Sequence, residues 1–203
     1  MCRAAWHSSL TSSQQEPVMD ALAALLGRSS ANRLVEPAPT GEQRERIFRA
    51  ALRAPDHSHL RPWRFLIVEG EGRARLGEVL AAAMQRHAPD TEAQVLNRLR
   101  VNPLRAPLLI VLVAHVRAHP NVPEIEQLLS LACAADNMLL AAHAEGFGAI
   151  WRTGAVIYTP ELRAGLGLVE NERVLGVLYL GTSEGPPKPL EELPLEVYFR
   201  PWP

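Results

Sequence analysis

Cysteine is nearly absent. The chain of 203 residues holds two, Cys2 and Cys133. That excludes a disulfide framework and a four-cysteine zinc cluster, and it makes a reducing cytosol the default compartment. Neither sign of charge dominates: 21 Lys+Arg against 22 Asp+Glu leave a net charge of −1. A chain so balanced offers no broad electrostatic face to nucleic acid or to an anionic membrane. Long apolar runs are missing too. The strongest, "PLLIVLV" at residues 107–113, is far too short to span a bilayer. It reads instead as a strand buried on both faces. The start, "MCRAAWHSSLTSSQQEP", lacks the apolar run of a signal peptide. Residues 1–16 read as a polar, flexible extension. No Walker loop, strand-linked GxGxxG, GxSxG or HExxH occurs, so the usual phosphate cradles, the α/β-hydrolase elbow and the zincin helix have no support.

What is present is a globular composition, 47% apolar, suited to one domain. A helix is expected over residues 17–26, with Leu22, Leu25 and Leu26 as its stripe. Thr40 and Gln43 have the spacing of a capping box for a second helix, which Pro55 stops. "WRFLIVEG" predicts a strand, and residues 71–87 a helix. Asp90 is positioned to cap a shorter helix ending near Arg100. After the "PLLIVLVAHV" strand comes a long helix over residues 124–145, its apolar positions at 125, 128, 129, 132, 135 and 139. "FGAIWRTGAV" reads as strand or extended loop, Thr159-Pro160-Glu161 as a helix start, and "RVLGVLYLGTS" as the last clear strand. Residues 184–203 form a proline-rich arm with one β-like piece, "LEVYFRP". About four strands, irregularly alternating with helices, predict an α+β fold: a small mixed or antiparallel sheet flanked by helices, one of them long and central. The expected units are the extension at 1–16, a domain at 17–183 and the arm at 184–203. The arm either packs on a partner subunit or stays disordered.

Three clusters could carry chemistry. In "APDHSHLRPW", Asp56, His57 and His59 offer two or three metal ligands, but a catalytic zinc needs three and a structural zinc four. His115 and His119 straddle a strand end and Pro120, so no helix aligns them. Nothing else completes a site, and a metal-dependent hydrolase stands as the lesser alternative. In "GRSSANRL", two arginines, two serine hydroxyls and several backbone amides share one loop. Arginine matches phosphate geometry, and hydroxyls and N–H groups serve the remaining oxygens. The plain alternative is a solvated loop at a helix end. Cys133, in "LACAAD", reads as a buried structural thiol.

Six pieces in order carry more than any one of them. They are Arg28-Ser29-Ser30-Ala31-Asn32-Arg33-Leu34; "EPAPTGEQ" at 36–43; "RAPDH" at 53–57 with Pro62-Trp63; "RAPL" at 105–108; "GFGAIWRTG" at 146–154; and "LYLGT" at 178–182. This order resembles the nitroreductase family, in its short bacterial branch, over residues 19–182. The resemblance implies a domain-swapped homodimer with FMN at the subunit interface. It implies an oxidoreductase that takes hydride from NAD(P)H and reduces nitroaromatics, quinones or similar acceptors in ping-pong order. Arg28, Ser29 and Ser30 would hold the flavin phosphate, with Asn32, Arg33 and Lys188 as further candidates. Arg53 and His57 would reach FMN bound mainly by the partner. Trp151, Arg152, Thr153 and Gly154 would line the ring, with backbone amides near N5 or O4. Ala141, Ala142, His143, Ala144, Glu145 and Gly146 lie where the nicotinamide nucleotide approaches, or are simply the last turn of a core helix. The flavin carries the reaction, so no catalytic dyad and no metal are required. A flavin-binding protein without turnover shares every motif and is the alternative.

Overall fold

The computed structural model describes residues 19–186 and 188–202. Cys2 and the 1–16 extension therefore lie outside the described residues, as does Pro17, the expected helix start. The elements are α1 (Ala21–Gly27), β1 (Leu34–Val35), α2 (Gly41–Ala51), β2 (Trp63–Glu69), α3 (Gly72–His87), α4 (Ala93–Val101), β3 (Leu108–His115), α5 (Glu124–Ala144), β4 (Gly148–Arg152), α6 (Pro160–Gly165), β5 (Glu172–Ser183) and α7 (Leu195–Tyr198).

Strand β3 explains the architecture. All but its last residue are buried. Side chains alternate across a strand, so a strand apolar at every position must be covered on both faces. Leu108, Ile110, Leu112 and Ala114 enter one core with Ile47 and Ala51 of α2 and Leu131, Ala134, Ala135 and Met138 of α5. Leu109, Val111 and Val113 enter the other, with Leu76, Leu80 and Ala83 of α3 and Leu162 of α6. The sheet is thus sandwiched between two helical layers, an α+β fold. All its pairings are antiparallel: β2 on β3, β3 on β5, β4 on the other edge of β5, and β1 on the last two residues of β5.

Several local expectations meet corrections. Thr40 takes the N-cap position of α2 without a side-chain hydrogen bond, so the capping box with Gln43 does not close. Helix α4 begins after Glu92, not Asp90. The piece "LEVYFRP" is not β-like; residues 195–198 form the single turn α7. Instead the fifth strand is β1, only two residues long. Thr159 does cap α6, accepting from the Leu162 amide at 3.2 Å. The stripe of α1 points away from the body: Leu22, Leu25 and Leu26 are exposed and only Ala24 is buried. In α5 the buried face runs through Gln127, Leu131, Ala134, Ala135, Met138 and Ala142, while Ile125 and Leu129 are exposed. Cys133 is exposed, not buried. α5 is long and apolar enough to cross a membrane by length and composition, but it packs on the sheet. Every described residue from 184 to 202 is exposed.

The α3–α4 contact depends on a missing side chain. A Cβ on buried Gly77 would lie 2.1 Å from the backbone oxygen of Arg100. Backbone cannot swing aside as a side chain does, so the helices must separate. We expect Gly77→Ala to lower unfolding free energy by about 1–3 kcal/mol, read from the midpoint of urea denaturation.

Candidate functional site

The loop after α1 lines a cleft. Arg28, Ser29, Ser30, Asn32 and Arg33 line one side of a cleft of about 450 Å³. Leu139, His143 and Gly146, from the end of α5, form a second side. Ser183, Glu184, Gly185, Pro186 and Lys188 form a third. Lys188 is therefore gathered with the loop despite lying 155 residues beyond Arg33. The loop is fixed by backbone bonds: Ala31 N–H donates to Ala149 O at 3.1 Å, and Glu184 N–H to Arg33 O at 3.1 Å. Gly148 makes this approach possible, since a Cβ there would lie 3.0 Å or less from Ala31, Leu34 and Ser183. Three permanent cations and three serines line the cleft. The carboxylate among its lining residues, Glu184, sits 3.9 Å from Arg33. This donor set fits a phosphate dianion.

Strand β4 leads away from the cleft. From Gly148, which lines it, Arg152 is four steps on, about 13 Å at ~3.3 Å per residue. Trp151 and Arg152 point to opposite faces. The Trp151 indole donates to Leu175 O at 3.3 Å. It lies over Gly176, where a Cβ would come within 2.2 Å of its nitrogen. Leu175 is left unpaired where the β3–β5 register shifts, a bulge that turns its carbonyl toward the indole. Arg152 lies on the other face, its guanidinium 5.6 Å from the centre of the Tyr179 ring. Its Nε is buried and has no partner among the described residues. Burial pushes the Tyr179 hydroxyl up, and the charges of Arg152 and Arg105 oppose that shift. The Arg152 side chain thus lies against Tyr179 and is half-buried. Thr153 and Gly154 are exposed.

Arg53 and His57 do not join these groups. Arg53 lines a shallow hollow with Asn137, Ala141 and Ala144. His57 Nδ1 lies 2.6 Å from Glu126 Oε2, near the start of α5. Glu126 and His143 stand about 25 Å apart along the helix at ~1.5 Å rise per residue. One chain therefore cannot bring His57 to the cleft that His143 lines. The His57 loop itself is tightly built. Ser58, His59 and Arg61 all have left-handed φ of 60°, 52° and 49°, a conformation costly to non-glycine residues. Asp56 holds it: Leu60 N–H donates to Oδ1 at 3.1 Å and Arg61 N–H to Oδ2 at 2.7 Å. So Asp56 faces its own loop and His57 faces α5, a poor start for a metal site. Among the described residues no three His, Cys, Asp or Glu gather as metal ligands.

The segment 141–146 is the last turn of α5 and its cap, and its residues diverge. Ala142 is fully buried. Ala141 and Ala144 line the hollow of Arg53, while His143 and Gly146 line the cleft. Glu145 is held by Arg46 of α2 through two contacts, 2.6 and 2.8 Å. Glu126, Tyr179 and Gly148 were not singled out from the sequence. Glu126 and His57 are 69 residues apart, with no local signal joining them. Tyr179 and Gly148 lay inside quoted motifs, but their contacts depend on strand pairing.

The fold is α+β, with a cation-lined cleft at one end of β4. The nitroreductase family profile matches residues 25–182, and the chain belongs to that family. It is 46% identical over 166 residues, 82% of this chain and 90% of the relative, to the "Putative NAD(P)H nitroreductase YdjA" of Escherichia coli strain K12. Its fold matches a nitroreductase-like family protein from Bacillus cereus with a TM-score of 0.79 at 21% identity, covering 93% and 98% of the two chains. It also matches a "putative nitroreductase in complex with fmn" from Desulfovibrio desulfuricans, with a TM-score of 0.66 at 25% identity, covering 90% and 98%.

Two outcomes test these contacts. The Arg46 hydrogen bond, with its charge, holds the Glu145 carboxyl below its usual value against the opposing effect of burial. A depressed carboxyl stabilises the fold above its unfolded value and loses that contribution as pH falls through its folded one. Thermal melts should show Glu145→Gln less stable than wild type at pH 7, the difference shrinking below about pH 4.5. Asp56→Ala should cost about 2 kcal/mol by urea denaturation, because two loop amides lose their acceptor.

Proposed function

We propose that this chain is a homodimeric FMN oxidoreductase that draws electrons from NAD(P)H. The observation that carries the reading is the cleft. It gathers Arg28, Ser29, Ser30, Asn32, Arg33 and Lys188 at one end of β4, with residues 152–154 about 13 Å down the same strand. That spacing suits a flavin with its phosphate in the cleft and its ring beside Thr153 and Gly154. The FMN complex of the Desulfovibrio relative supports the same cofactor, and the description of YdjA as an NAD(P)H nitroreductase supports the donor.

The bound flavin supplies the redox chemistry, two electrons in from NAD(P)H and two out to a nitroaromatic, quinone or similar acceptor, in ping-pong order. The chain's residues bind and orient. Arg28 and Lys188 neutralise the phosphate, and Ser29 and Ser30 hydrogen-bond its oxygens. Backbone amides at 153–154 present donors to the ring edge, and Trp151 keeps that segment in place through its bond to Leu175 O.

A second copy supplies what one chain leaves apart. His57 lies too far along α5 to serve its own cleft, and Arg53 opens into a separate hollow, so both meet the flavin of the partner. Apolar residues wait for that partner on α1 and α5: Leu22, Leu25, Leu26, Ile125 and Leu129 are exposed. The arm beyond Ser183 packs across the partner, burying Tyr198, Phe199 and Trp202, the last 95% exposed on one chain. Cytoplasmic residence fits the free, exposed thiol of Cys133.

The purified protein should be yellow and should bleach on anaerobic addition of NADH or NADPH, the faster one naming the donor. A yellow protein that neither donor bleaches is a flavin binder without turnover. A protein that stays colourless with added FMN overturns the reading. Arg28→Ala should weaken FMN roughly 10- to 100-fold, as for loss of a charged hydrogen bond, with an unchanged circular dichroism spectrum.

A further inference from the structure

We propose that His143 is a ligand of the flavin phosphate rather than part of a nicotinamide surface; the inference rests on the FMN reading above. The segment 141–146 cannot act as one surface, because its side chains point to different places. Ala142 is in the core, Ala141 and Ala144 line a hollow shared with α1, and Glu145 is bound by Arg46. Of its side chains longer than alanine, His143 is the one that lines the cleft.

Its place there answers an electrostatic problem. The C-terminal end of α5, a helix of 21 residues, forms one side of the cleft through Leu139, His143 and Gly146. A helix C-terminus carries about half a negative charge, which opposes a phosphate. Part of this is relieved by backbone caps. Glu145, Phe147 and Gly146 N–H groups donate to the oxygens of Ala141, Ala142 and His143 at 3.0, 2.8 and 3.0 Å. The imidazole supplies a donor on the last turn itself, between that negative end and the anion. Its Nε2 is 3.4 Å from where a Cβ on Gly27 would stand, so the ring lies against the residue before Arg28, Ser29 and Ser30. The charged groups facing it are Arg28 and Arg33 of the loop and Glu184 and Lys188 of the arm. The histidine side-chain hydrogen bonds among the described residues belong to His57, His87 and His119. The ring of His143 is left to the cleft.

Riboflavin, which lacks the phosphate, separates this role from packing. Apo-protein is titrated with FMN and with riboflavin, following quenching of flavin fluorescence, for wild type, His143→Ala and His143→Gln. His143→Ala should weaken FMN about tenfold, the effect of one hydrogen bond to a charged group, and leave riboflavin unchanged. His143→Gln, which keeps a donor, should recover part of the loss, and serves alone if the alanine variant does not fold. Unchanged FMN affinity in both variants overturns the proposal. Equal weakening of both flavins also overturns it, since the residue would then only support the helix end. A wild-type protein that binds neither flavin overturns the FMN reading itself.

Discussion

Burial of β3 on both faces is the constraint from which the rest follows. Seven consecutive buried residues cannot be satisfied by a sheet with one wet side. They require α2 and α5 on one face and α3 and α6 on the other. They also require β2 and β5 at both edges, since an unpaired backbone inside such a layer is costly. Once β5 is fixed against β3, its far edge receives β4 and its end receives β1. The cleft lies where these secondary pairings meet the end of α5, so it is built from the trimmings of the core rather than from the core itself.

The sequence was most informative where burial contrasts sharply along the chain. β2, β3, β5 and α3 fall within a residue or two of their expected bounds, because their apolar patterns are strong and their ends are marked by glycine or proline. Contrast failed in α5. That helix is apolar nearly all round, so periodicity could not say which stripe faces inward, and the expected positions 125 and 129 are exposed. The same ambiguity put Cys133 on the wrong side. β1 was invisible because two residues have no period. The arm's "LEVYFRP" has strand-forming residues but no neighbour to pair with, and it takes a helical turn.

The cleft-lining residues were legible as a set and less so as a place. The Arg-Ser loop stood out by composition, and it lines the cleft. Lys188 joined it only through the return of β5 beside β1. Arg53 and His57 shared the motif order of the family, yet helix length separates His57 from the cleft, and Arg53 opens into a different hollow. Asp56 looked like a metal ligand because a carboxylate beside two histidines usually invites that thought. Its oxygens instead hold three left-handed residues in place.

The short link between the Arg-Ser loop and the arm has a thermodynamic consequence. Arg33 and Glu184 are joined by a backbone hydrogen bond and an ion pair, so one wall of the cleft is also the root of the arm. Whatever seats the arm stiffens that wall, and whatever fills the cleft restrains the arm. Such coupling is reciprocal by linkage. A ligand held in the cleft and a contact made by the arm would then be two readings of one free energy.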